Sequence, residues 1–227
     1  QDYGSLIKGA IFGARKRRKR TETSKSSARL LSFHNGLQTL VDALDRDLEG
    51  RIFTGAGIQS IQRKGAGFHI DFNRDGDTFH LTADTLLITV PAHTFPSLPL
   101  DFHGSLVEVF QQIYYPPVAM VYLGFANRPD SVPLDGFGFL VPEKENRQIL
   151  GTIWSSVIFP NRVPENGVAL TTFVGGSRQP ENALLPEEDL AALVRNDLQE
   201  LMGIGAEPDL VVIKKWEKAI PQYRIGH

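Results

Sequence analysis

The side chains best able to do chemistry in this chain are carboxylates, histidines, glycines and aromatics, and most of them fail a simple spacing test. Three carboxylates stand together at Glu187-Glu188-Asp189, as an acid–base pair would require. They also open an apolar helical repeat, where the positive end of the helix dipole is sufficient reason for them. The six histidines (34, 69, 80, 93, 103 and 227) show neither HxH nor HxxxH spacing, so no metal centre is expected. His69 and His80 could face each other across a hairpin as surface packing. The absence of cysteine removes disulfides, thiolate nucleophiles and Cys-ligated metals together. No GxSxG elbow and no Walker-type phosphate loop is present. Gly55-Ala56-Gly57 would begin a GxGxxG turn, but the third position is Ser60 and a strand pattern follows it rather than a helix. What survives is aromatic. Phe137, Phe139, Trp154, Phe159 and Phe173 gather near expected strand ends, which suits a flat apolar ligand and suits an ordinary core equally.

Periodicity along the chain predicts the secondary structure around these residues. Leu37, Leu40, Val41, Leu44 and Leu48 recur at helical spacing and stop at Gly50. Asn35 or His34 could begin that helix. Short strand-type segments follow at 51–54, 57–63, 67–73 and 78–82, with turn residues at 64–67 and 73–77, which predicts a β-meander. Thr85–Val90 is continuously apolar and ends at Pro91, as expected of a strand buried on both faces. Beyond it, 104–113 reads as a helix, and 118–125, 138–141, 149–155 and 168–174 read as strands. A helix opens at Pro186, and 210–216 is a last strand. The fold class is therefore α/β of mixed α+β character, with a second mixed-sheet domain beginning near residue 96.

Composition bounds the rest. The 227 residues include 24 Lys+Arg and 26 Asp+Glu, a net charge of -2, and no apolar run is long enough to span a bilayer. The charge is divided unevenly. Residues 1–29 carry nine cations and two acids, with the core of the excess at Arg15-Lys16-Arg17-Arg18-Lys19-Arg20. Adjacent cations repel, so a solvated segment is expected, with contact to an anionic membrane surface as the functional alternative. Nucleic acid is not an expected partner, because no aromatic residue interrupts the run to stack on bases. The chain has no initiator Met and stops at Gly226-His227, which reads as a piece of something longer.

Four segments carry a family resemblance. Leu150-Gly-Thr-Ile-Trp-Ser-Ser156, Phe159-Pro-Asn-Arg162, Thr172-Phe-Val-Gly-Gly-Ser177 and Trp216-Glu-Lys-Ala-Ile-Pro-Gln-Tyr223 together resemble the protoporphyrinogen oxidase family of flavoenzymes. Ser32-Phe-His-Asn-Gly-Leu-Gln-Thr-Leu40 and Val90-Pro-Ala92 are similar to its helix start and strand end. The resemblance implies an FAD-dependent oxidase of the amine-oxidase superfamily. Such enzymes take hydride from a porphyrinogen bridge carbon, use dioxygen to reoxidise the flavin, and act in haem or chlorophyll biosynthesis. It also implies a homodimer attached peripherally to a membrane, cytoplasmic in a bacterium or in mitochondria or plastids of a eukaryote; some relatives act on coproporphyrinogen.

By position, the resemblance assigns Leu140, Ile153 and Phe173, with Phe137 beside them, to the apolar walls around the macrocycle. Ile58 falls where main-chain groups face the FAD adenine, and Trp216 falls near the flavin. No catalytic side chain is assigned and no metal is implied. The domains implied are 1–31 as a basic segment, 32–95 as part of an FAD/NAD(P)-binding-type domain, 96–215 as the substrate domain, and 216–227 as a return to the first. The family's GxGxxG element and its propionate-pairing arginine have no match here, so an internal region of such an oxidase is expected. The competing readings are a tetrapyrrole-binding module without catalysis and a related flavin amine oxidase or desaturase.

Overall fold

The computed structural model describes residues 31–102, 104–132 and 135–225. The helix expected at 5–13, the basic run 15–20 and the terminal Gly226-His227 lie outside the described residues. The chain divides into two compact units, up to Ile52 and from Phe53 onward.

The first unit contains α1, Gln38–Asp47, on which the leucine stripe lies along one side. Neither Asn35 nor His34 caps it: Leu37 is the N-cap, without a side-chain hydrogen bond. Gln38 Nε2 donates to Asp42 at 2.8 Å one turn on, and the chain leaves the helix through Gly50 at φ 76°.

The second unit begins with the meander β1 (Gly57–Lys64), β2 (Gly67–Arg74) and β3 (Asp77–Ala83), antiparallel throughout. Asp75 and Gly76 both take positive φ, the mirror-image turn that matches strand twist and favours Asp-Gly. Ile61, Ile70 and Phe72 form a small core with Phe95 and Leu100. Arg51–Thr54 does not become a strand. Thr85–Val90 does not either: Leu86 and Ile88 pack on that core, while Leu87 is 82% exposed and Val90 42% exposed. An apolar run needs a ladder partner as well as burial to be a strand, and this segment pairs with no strand among the described residues. His80 faces Asp71 rather than His69, which pairs with Thr82.

The larger sheet has the order β5-β6-β7-β4-β8, again antiparallel. Its strands are β4 (Val118–Phe125), β5 (Gly138–Leu140), β6 (Ile149–Trp154), β7 (Val168–Gly175) and β8 (Leu210–Trp216). A short helix α2 (Leu106–Gln111) precedes it, and α3 (Ser155–Ile158) follows β6. One face is sealed by α4 (Glu187–Met202), whose Leu190, Leu193, Val194 and Leu198 meet Ala119, Val121, Leu123, Leu170 and Val174 in the main core. Pro186 opens α4, three acids fill its first turn, and Gly203 closes it in the left-handed conformation at φ 69°. Gly203 N donates to Gln199 O at 2.9 Å, the single bond of an αL stop.

Candidate functional site

Side chains alternate between the two faces of a strand, and residues directly opposite each other share a face. In the larger sheet Ala119, Val121, Leu123 and Phe125 point to α4 and are buried, so Val118, Met120, Tyr122 and Gly124 point the other way; all four are half-buried. The register then lays out that second face. Leu140 faces Gly151, Gly151 faces Phe173, Phe173 faces Met120 and Met120 faces Lys214, forming one row across all five strands. The next row is Gly138, Ile153, Thr171, Tyr122 and Val212. On the other side of the first row lie Gly175, Val118 and Trp216.

This face is broad, apolar and free of carboxylates in every one of these rows. Leu140 is 87% exposed and Trp216 41% exposed, whereas Phe139 and Ile213, on the opposite faces of the same strands, pack against the main core. Two glycines let β5 and β6 come close together. A Cβ on Gly151 would stand 2.5 Å from Phe139 O, and one on Gly138 2.1 Å from Thr152 O. Both distances are below any real contact, so β5 and β6 approach as they do because these positions lack side chains. The opposite face holds the strands in place. Asp197, buried on α4, accepts from Gln148 N at 2.7 Å and Ile149 N at 3.0 Å. Arg178 bridges Val141 O and Ile149 O at 2.8 and 3.0 Å, and the buried hydroxyls of Thr152 and Thr172 meet at 2.9 Å. At one end α3 folds over the open face, Ser155 Oγ lying 2.6 Å from Thr171 Oγ1.

The structure therefore brings Leu140, Ile153 and Phe173 onto one surface, in two adjacent rows. Phe137 precedes β5, is 73% exposed, and its carbonyl accepts from Trp154 N at 3.0 Å, next to Ile153. Trp216 stands on the same surface at the far edge. Ile58 does not: it lies in β1 at an edge of the meander, opposite Phe72.

Beside the Trp216–Val118 pair is a cleft of about 390 Å³ lined by His93, Phe110, Tyr114, Tyr115, Lys218 and Arg224, among others. The Arg224 guanidinium sits 4.1 Å from the Tyr114 ring centroid, and His93 meets Tyr115 edge-on at 4.7 Å. Ala219 N donates to Pro116 O at 3.1 Å and Gln222 N to Tyr114 O at 2.9 Å, so the segment after β8 is laced to the segment before β4. Sequence reading missed Met120, Tyr122, Lys214 and this cleft. A signal existed: every residue from Val118 to Phe125 is apolar or glycine, which asks for a cover on both faces.

Residues 3–227 match the flavin containing amine oxidoreductases along the length of the chain. The chain belongs to that family. Among flavin containing amine oxidoreductases it is similar to the mitochondrial protoporphyrinogen oxidase of Nicotiana tabacum, 33% identical over 252 residues, covering 99% of this chain and 49% of that protein. The chloroplastic protoporphyrinogen oxidase of the same plant is 29% identical, covering 100% of this chain and 44% of that one. Coproporphyrinogen III oxidase of Bacillus subtilis is 26% identical over 90% of this chain and 43% of its own length. The chain thus spans about half the length of the curated relatives it matches. Among solved structures, a protein of Exiguobacterium sp. 255-15 provisionally named protoporphyrinogen oxidase superposes with a TM-score of 0.73 at 24% identity, over 100% of this chain and 46% of that one. Reduced UDP-galactopyranose mutase gives a TM-score of 0.64 at 18% identity, over 84% of this chain and 40% of its own. These two likenesses show that the fold is shared with these structures.

Proposed function

We propose that this chain forms the substrate-binding surface of an FAD-dependent oxidase that converts protoporphyrinogen, or coproporphyrinogen, to the porphyrin with dioxygen as oxidant. The observation that carries the reading is the coincidence of Leu140, Ile153 and Phe173 on one carboxylate-free sheet face, where Gly138 and Gly151 let β5 and β6 approach closely. A porphyrinogen is a broad ring with little to hydrogen-bond except pyrrole N–H groups and carboxylate arms. A wall of this kind takes the ring out of water by area burial. The names of the relatives support the same substrate class, and they favour it over a non-catalytic tetrapyrrole module.

The residues present fit a flavin. Trp216 and the cleft of Tyr114, Tyr115, Lys218 and Arg224 combine aromatic faces with cations, the donor set for a flat ring system that gains negative charge on reduction. Main-chain groups at Ile58, in an edge strand, would meet the adenine end. When bound, the flavin supplies the hydride acceptor. The chain's own part is to exclude water from one face of the ring and to fix its height over the sheet. Residues 32–95 then belong to the flavin-binding part, 96–215 to the substrate part, and 216–227 return to the flavin. Dimerisation and peripheral attachment to a membrane complete this reading. No helix among the described residues is long and apolar enough to cross a membrane.

The test is kinetic. In the flavin-loaded enzyme, Phe173→Ala should raise KM for porphyrinogen about tenfold or more, in line with about 1.5–3 kcal/mol for an apolar side chain removed from a contact. Unchanged KM for both porphyrinogens would remove the sheet face from the site. The ratio of kcat/KM for protoporphyrinogen and coproporphyrinogen then assigns the substrate.

A further inference from the structure

One charged residue breaks the apolar pattern of the open face. Lys214 occupies the β8 end of the row that contains Met120, Phe173, Gly151 and Leu140. It is exposed and makes no ion pair or side-chain hydrogen bond among the described residues. Its neighbour Lys215 points to the other face, where Nζ donates to Leu185 O at 3.0 Å. The two adjacent lysines thus have opposite tasks: one is tied to the scaffold and the other is left at the rim of the apolar surface. With strands about 4.8 Å apart, the Lys214 Cα lies roughly 10 Å across the sheet from that of Phe173. A ligand ring centred over Phe173 would therefore bring its rim, not its centre, to the ammonium. No carboxylate of the protein in these rows competes for that charge.

We propose that Lys214 is the anchor for one carboxylate arm of the porphyrinogen, setting which way the ring is turned on the sheet. This rests on the substrate reading above. An ammonium on a flexible stem suits the task, since it follows an arm that can swing and needs no fixed bidentate geometry. A charged pair at the edge of an apolar ligand is also partly shielded by that ligand, so it is stronger than a bare surface pair. The alternative role for a lysine on an edge strand is to block strand addition by another chain; that role involves no substrate.

The experiment compares Lys214→Gln, Lys214→Arg and Phe173→Ala in the flavin-loaded enzyme, with protoporphyrinogen and its dimethyl ester as substrates. The expected result is a roughly tenfold rise in KM for the free acid in K214Q with kcat within about twofold, recovery to within about threefold in K214R, and no effect of K214Q on the ester. The wild-type KM for the acid should also rise with salt, and that for the ester should not. An unchanged acid KM in K214Q, with or without aggregation, overturns the proposal. So does an equal rise for acid and ester, which would mean lost packing instead of lost charge. If F173A raises KM while K214Q does not, the sheet face stands and only the anchor fails. If F173A is also silent, or neither compound is oxidised, both readings fall.

Discussion

Gly151 shows how much of the site depends on a missing atom. It lies between Leu140 and Phe173 in the central row, with φ 156° and only 2.5 Å of room toward Phe139 O for a Cβ. Gly151→Ala should force β5 off β6 and cost about 1–3 kcal/mol, the range for overpacking a closed contact. Amide exchange is the appropriate measurement: protection at Val141 and Trp154, whose amides bond across β5 and β6, should fall, while β4 and β7 stay protected. Asp197 is the corresponding point on the sealed face. Its carboxylate takes the amides of both Gln148 and Ile149, so Asp197→Ala leaves the buried Ile149 amide without a partner. About 2–4 kcal/mol of stability should go, read as a lower denaturant midpoint at an unchanged m-value. Ile153 and Phe173 are legible as candidates because they lie inside segments that carry the family resemblance, and Leu140 by its position relative to them. Met120, Tyr122 and Lys214 are not, since a residue's face is fixed only by the register of a sheet, and the motifs miss β4 altogether and meet β8 only at its last residue, Trp216.

At the scale of elements, the strands from 57 onward were readable because turn residues bracket each of them, and α4 because Pro186, three acids and Gly203 mark both ends. Thr85–Val90 was misread for a physical reason. Apolar runs report burial, and ladder pairing has to be supplied by another segment, which the described residues do not provide. Within the meander, His80 was expected near His69, but register puts it against Asp71. There Nδ1 lies 2.7 Å from Oδ1, and Ser60 Oγ donates to Oδ2 at 2.7 Å. The hydrogen bond with His80, and then that from Ser60, hold the Asp71 carboxyl below its ordinary value. A depressed folded-state value means the stabilisation is fully present above the unfolded carboxylate range near about 4 and is lost as pH falls through the folded value. The meander should therefore loosen on acidification, with faster exchange at Phe72 and Phe79 below that range. In Asp71→Asn the pH dependence of that exchange should be flatter, and the effect small, since the group is exposed.

At the scale of the molecule, the larger of the two sheets has two unlike faces. The face under α4 is sealed by the main hydrophobic core. The other presents Leu140, Phe173, Met120, Tyr122 and Trp216 in aligned rows, an area of contiguous apolar surface that a monomeric protein rarely leaves without a use. A ligand that covers it only in the folded state must stabilise the fold by mass action, by about 2.7 kcal/mol at a hundred times its Kd. For a chain of this size that corresponds to roughly 5–10 °C in the melting temperature. Protoporphyrin, the flat product-like dicarboxylate, should produce such a shift, and burial of apolar area should give its binding a negative heat-capacity change. Met120→Glu tests the assignment to this face. Met120 is half-buried in the middle of the row and directly opposite Lys214, so a carboxylate there takes up the Lys214 ammonium and is set against both the apolar ring and its anionic arms. The variant should melt within a few degrees of the parent without ligand and lose the porphyrin-induced shift. A shift that survives Met120→Glu would put the porphyrin elsewhere, with the aromatic cleft beside Trp216 the next surface to probe by Tyr115→Ala.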